Sequence, residues 1–312
     1  MPPAVATYNY LRLGVLALVT MLAVSVGYEF IANDVHLGSI SAYYFTPARS
    51  MFVGALIGVG VALVAIKGRE RLLEDVMLNV AGMLAPVVAL IPAAVAEGTI
   101  VNDQPVDCPT PKTSCVPSTF EPGITNGAWT LGIVGAIVLA AVIALAVADR
   151  RVGWGTTNQK QATVGLAIAV LVYVGFLALD VLWHDTYVQW GHYVAAVPLF
   201  LALAYVAVSN ALQPKGDARP ATMRGHEVDW RYALIAVAMI AALVVAAVYF
   251  LATLGDPAGR WEYWVFAIEL ALLVPFAAFW VLQTMQWWHE GAPGALTSTA
   301  VQPTSVETSD SS

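Results

Sequence analysis

The stretch Gly127–Ala148, GAWTLGIVGAIVLAAVIALAVA, runs for 22 residues without a charged side chain. As an α-helix it rises about 33 Å, enough to cross a bilayer core about 30 Å thick. It is apolar on every face, so no solvent-exposed stripe remains for water. That stretch decides the fold class, because seven more resemble it: Leu11–Ala32, Ser50–Ile66, Val76–Ala96, Ala162–Trp183, His192–Asn210, Tyr232–Thr253 and Tyr263–Gln286. The sequence predicts an all-α polytopic transmembrane bundle of about eight spans. The second and sixth are short, which leaves seven as the alternative count.

Composition agrees. Of 312 residues, 59% are hydrophobic and 11% charged, with a mean hydropathy of +0.72. A soluble domain carries roughly 25% charged residues to face water, so the expected partner of most of this surface is the lipid bilayer. Residues 1–290 are read as one transmembrane domain. The Ser/Thr/Pro-rich remainder, 291–312, has no hydrophobic period and is expected to be a disordered cytoplasmic tail. The formal charge of −7 adds groups that never share a solvent and says little about partners. The first span is expected to be an uncleaved anchor, because its apolar run exceeds a signal-peptide core and no small-x-small cleavage site follows.

Basic residues give the direction. With eight spans and the N-terminus inside, the inner side holds Arg12, Lys67, Arg69, Arg71, Arg150, Arg151, Lys160, Lys215, Arg219, Arg224 and Arg231. The outer side holds Arg49, Lys112 and Arg260. The partition of 11 against 3 follows the positive-inside rule and predicts both termini in the cytoplasm of a bacterial plasma membrane. The Pro-rich loop Gly98–Asn126, with Pro105, Pro109, Pro111, Pro117 and Pro122, then lies outside. Its Cys108 and Cys115, the only two cysteines, are expected to form a disulfide there.

Proline inside spans (Pro86, Pro92, Pro198, Pro275) is expected to kink helices and free carbonyls. Gly54 and Gly58 form a G-x-x-x-G pair suited to close helix packing.

Ionisable groups in a bilayer are costly and usually mark something. On this topology they gather in one outer layer. Glu29 ends span one, and His36 follows seven residues on. Asp180 and His184 share a face at the end of span five. His192 opens span six after the short loop Asp185–Gly191. Glu269 sits two turns into span eight, on the face of Phe276 and Gln283. The connection Asn33–Arg49, NDVHLGSISAYYFTPAR, is aromatic and hydroxyl-rich, and is expected to pack at the mouth with Ser39, Ser41, Tyr43, Tyr44, Thr46 and Arg49. The expected pocket is Glu29, His36, Tyr43, Tyr44, Arg49, Asp180, His184, His192 and Glu269. Plain structural alternatives exist for each: interface anchoring for His and Tyr, headgroup contact for Arg49, and an interhelical hydrogen bond or an Arg49 or His partner for Glu269.

The S-I-S-A-Y-Y stretch (Ser39–Tyr44), with G-H-Y-V-A-A (Gly191–Ala196) and F-W-V-L-Q-T (Phe279–Thr284), resembles an uncharacterised group of bacterial multi-pass membrane proteins. The resemblance implies no activity. A fainter resemblance is to the CREST group of membrane hydrolases, which bind zinc with three His and an Asp. This chain lacks their S-x-x-x-H and late H-x-x-x-H motifs.

Three readings of function follow. The leading one is a non-catalytic membrane component or partner-binding protein. The second is a proton- or cation-coupled carrier or receptor-like binding protein using Glu29, Asp180 and Glu269. Against a standard carrier stands the want of an internal repeat. The third is a zinc-dependent hydrolase of a lipid-like substrate, with His36, Asp180, His184 and His192 on the metal and Glu269 or Glu29 as general base. Haem on axial histidines is a fourth cofactor reading. A lipid or small molecule arriving from the outer side is the expected ligand. Nucleic acid is not an expected partner, and no phosphate-loop or dinucleotide fingerprint occurs.

Overall fold

The computed structural model describes residues 3–68, 72–101, 103–110, 112–152, 159–212, 228–256 and 259–288. The tail, much of the inner-loop basic set (Arg69, Arg71, Lys215, Arg219, Arg224), His226 and His289 lie outside them.

Eight helices account for most of the described residues: α1 Pro3–Ile31, α2 Arg49–Ala65, α3 Leu72–Leu90, α4 Glu121–Val152, α5 Gln159–Leu182, α6 His184–Ala211, α7 Trp230–Ala252 and α8 Trp264–Gln286. The chain is a polytopic membrane-spanning helical bundle. Seven of the helices are long and apolar enough to cross a membrane, and α2, with 17 residues, is the shorter eighth. Every expected span corresponds to one of them.

Differences at the ends have local causes. α3 stops at Leu90 rather than at Ala96, because Pro92 cannot donate a backbone hydrogen bond and disfavours helical geometry in the residue before it. Ile91 N–H to Val87 O is the last bond of the helical ladder. The expected loop Asp185–Gly191 is instead the start of α6, so His192 sits two turns inside it. Trp183 alone breaks the helix between α5 and α6, with φ −141° and ψ 57°. α1 ends at Ile31, and Asp34 follows with φ +54°. His36 therefore does not continue the face of Glu29. Arg12, counted above with the inner cations, is buried inside α1 at 2% exposure. At the start of α7, the Asp229 side chain accepts from the Arg231 N–H and caps the helix.

Packing order sets the architecture. Contacts run α1–α2, α2–α3, α3–α6, α6–α7, α7–α8 and back from α8 to α1, closing a six-helix ring. α4 and α5 pack outside it, against α3 and α6. Their best spanning windows are almost wholly unburied, as expected of helices surrounded by lipid. Gly58 faces Leu18 of α1, whereas Gly54 meets nothing within 4 Å. The close approach of α2 and α3 falls on Gly60 and Gly82 instead.

One end of the ring is covered by two connections. Residues 33–48 contain a 3-10 turn, Ser41–Phe45, whose five residues are all buried. The cysteine loop folds as two short antiparallel ladders. β1 (Val95–Ala96) pairs with β4 (Ser114–Cys115), and β2 (Ile100–Val101) pairs with β3 (Gln104–Pro105). Cys108 and Cys115 are bonded, with Cα atoms 5.7 Å apart, within the usual range for a disulfide. Both cysteines, with Val95, Val101 and Val106, pack in one apolar cluster with Tyr43, Tyr44 and Phe45. The loop is thus part of the cover.

Candidate functional site

Beneath that cover the ring encloses a cavity of about 730 Å³. All six ring helices reach it: Leu22 from α1, Phe52 from α2, Val88 from α3, Ala196 from α6, Leu243 from α7 and Leu272 from α8. Its wall is mostly apolar. Polar side chains gather towards the covered end, where Glu97, Thr99, Thr113, Gln189 and Arg260 line it. Gln189 Nε2 also donates to Ser114 O at 3.1 Å, tying the cysteine loop to α6.

Two ionisable side chains meet in the cavity wall. His192 Nε2 lies 3.4 Å from Glu269 Oε1, and both residues line the cavity. Each is held by a backbone group that local structure leaves open. The last four carbonyls of a helix have no partner within it. Just past the end of α3, the carbonyl of Ile91 accepts from His192 Nδ1 at 2.8 Å. The N–H groups that begin the Ser41–Phe45 turn are open in the same way, and Ile40 N–H donates to Glu269 Oε2. Helix termini therefore fix both members of the pair, Glu269 at a turn's N-terminus and His192 at a helix's C-terminus. Beside them, the hydroxyls of Ser39 and Ser41 lie 2.8 Å apart, and Ser41 Oγ accepts from Ala93 N–H.

The other expected site residues go elsewhere. Asp180 Oδ1 and His184 Nδ1 are 2.7 Å apart across the Trp183 corner. His184 Nε2 turns towards Glu121 Oε1 at 3.9 Å and Thr125 Oγ1 at 3.5 Å on α4. This group sits outside the ring and does not line the cavity. Glu29, 5% exposed, accepts from Asn33 Nδ2 at 3.0 Å. His36 packs edge-on to Phe30, 3.6 Å from the exposed Asp34. Arg49 donates to Tyr44 OH at 2.6 Å and lies over the Tyr44 ring. Tyr43 OH donates to Val35 O at 2.8 Å. So Glu269 takes a His partner rather than Arg49, and the expected single pocket divides into separate groups. His36, Asp180, His184 and His192 do not assemble as one ligand set. Among the described residues no three His, Cys, Asp or Glu side chains converge to hold a metal ion.

Burial raises the Tyr43 phenol above its ordinary value, partly offset by a backbone hydrogen bond. Burial raises Tyr44 as well, against the opposing charge of Arg49.

A second polar group, not singled out in the sequence, lies at the opposite end of the ring. Gln283 Nε2 donates to Asn210 Oδ1 at 2.9 Å, and Asn210 Nδ2 donates to Glu74 Oε1 at 2.9 Å. The ladder joins α8, α6 and α3. Its signal was present only in part: Gln283 lies on the face of Glu269 and Phe276, and Asn210 sits at the end of its span. Arg260 was also missed as a cavity residue, because a lone arginine in a connection has no pattern of its own.

No protein-family model, curated protein or solved structure matches this chain.

Proposed function

We propose that this chain is a membrane-embedded binding protein, a carrier or receptor, for an amphiphilic small molecule. The ligand enters the ring cavity from the end covered by the cysteine loop, which we assign to the outer face of a bacterial plasma membrane. The observation that supports this reading is the cavity. Its 730 Å³ lies within the usual 300–1,000 Å³ of small-molecule sites. Its apolar wall with a few converging polar groups suits a molecule with an oily body and a polar head. No covalent chemistry is needed for such a role.

Mass spectrometry of the purified protein, released gently from detergent, tests the reading. A bound amphiphile is expected at near one per chain. Ala246→Trp, which fills the cavity from α7, should lose it while the protein remains folded. A chain that carries no ligand, and that binds added amphiphiles equally well with and without Ala246→Trp, would sink the proposal.

A further inference from the structure

We infer that His192 and Glu269 form a single proton-binding site in the cavity wall, and that a hydrophobic organic cation entering the cavity displaces that proton. This rests on the cavity being a ligand site and adds the ligand's charge and what it is exchanged for.

The proton count follows from hydrogen-bond accounting. The Ile91 carbonyl can only accept, so His192 Nδ1, 2.8 Å away, is assigned the ring proton. The neutral imidazole then presents a bare lone pair at Nε2. Facing it at 3.4 Å is Glu269 Oε1, which is also an acceptor when ionised. Two acceptors so close, with the His192 side chain 4% and that of Glu269 16% exposed, repel each other unless a proton lies between them. The pair thus holds one proton, as carboxyl and imidazole or as carboxylate and imidazolium. Its net charge is zero either way.

The cavity's remaining charges choose the sign of the ligand. Ionisable groups reach it as His192 and Tyr193 from α6, Glu269 from α8, Arg260 and Glu262 from the α7–α8 connection, and Glu97 from the turn after β1. α1, α2, α3 and α7 contribute none. With the His192–Glu269 pair neutral, the two carboxylates Glu97 and Glu262 stand against one guanidinium, and loss of the proton from the pair adds a further negative charge. That guanidinium is already engaged: Arg260 Nε donates to Thr253 Oγ1 at 2.8 Å, and its head lies 4.9 Å from the Phe250 ring. Trp190, Tyr193 and Trp261 also line the cavity and supply aromatic rings, which attract a cation. The exchange balances: one positive charge enters beside Glu269, and one proton leaves His192–Glu269 to water.

Calorimetry with the full chain in nanodiscs tests this, using tetraphenylphosphonium and tetraphenylborate, ions of similar shape and opposite charge. Repeating each titration in buffers of different ionisation enthalpy counts the protons. Tetraphenylphosphonium should release about one proton, and its affinity should rise roughly tenfold per pH unit while the pair is protonated. Tetraphenylborate should bind at least tenfold more weakly. Glu269→Gln should weaken tetraphenylphosphonium and abolish the pH dependence. His192→Gln, which keeps the carboxylate, should retain binding but lose the proton release. The inference fails if tetraphenylphosphonium binds without releasing a proton, if both ions bind alike, or if His192→Gln still releases one. In those cases binding that is lost with Ala246→Trp leaves the cavity reading standing. Binding of neither ion overturns both.

Discussion

A β-carbon built on Gly60 of α2 would lie 2.7 Å from the carbonyl oxygen of Gly82 on α3, and one built on Gly82 would lie the same distance from the carbonyl of Gly60. The two backbones approach directly there, and the Val64 side chain closes over Gly82 at 2.6 Å from the carbon added at Gly82. In lipid, helices associate through such close packing rather than through expulsion of water.

Gly82→Val should therefore force α2 and α3 apart, at a cost of about 1–3 kcal/mol for overpacking. Gly54→Ala is the control, since nothing lies within 4 Å of the added methyl. It should be neutral, or stabilising by up to about 1 kcal/mol through helix propensity. Thermal unfolding in one detergent compares them. Equal midpoints for the two variants would show that the glycine contact does not hold the seam.

The disulfide should act locally. Cys108 and Cys115 ought to resist alkylation until a reductant is added. Replacing both with serine should cost roughly 2 kcal/mol, the low end for a short loop. Hydrogen exchange should quicken in residues 95–115 and hardly change in α6. Rapid labelling of both cysteines without reductant would contradict the bond.

The covering segment should carry a pH dependence at the alkaline end. Folding raises the phenol of Tyr43, chiefly through burial. A group whose folded value is raised stabilises the fold fully below its unfolded value, and that contribution fades as pH rises towards the folded one. Stability contributed by Tyr43 should thus be constant below about pH 10, the unfolded tyrosine value, and decline above it. Tyr43→Phe should flatten that decline, as followed by thermal midpoints across pH 8 to 11. An unchanged alkaline slope in the variant would remove Tyr43 as its source.

Orientation is tested by reporter fusions. A reporter near Ser118 is expected outside, and reporters after Lys215 and Glu290 inside. A cytoplasmic Ser118 reporter would invert the assignment of the cavity mouth to the outer face.

Much of the fold was legible because span length and apolarity are local properties. Gly127–Ala148 has to be a lipid-embedded helix whatever surrounds it, and the other seven stretches follow by the same physics. Depth was legible too: residue number along a span placed Glu269, His192, Asp180 and His184 towards the same end. What sequence spacing could not fix was azimuth, meaning which helix each residue faces. That is set by the order in which helices pack, and the closing contact between α1 and α8 joins segments more than 200 residues apart. Only the tertiary structure put α6 and α8 on one cavity, so that His192 met Glu269, and put α4 and α5 outside the ring, which drew His184 towards Glu121 and Thr125. It also recruited backbone groups no pattern announces: the Ile91 carbonyl, open because Pro92 ends α3, and the Ile40 N–H, open because a 3-10 turn begins there. Composition determined that this chain lives in a membrane; helix packing decided which of its costly polar groups share a cavity, because a buried polar group is tolerated where a partner reaches it, and for His192 and Glu269 that partner comes from another segment.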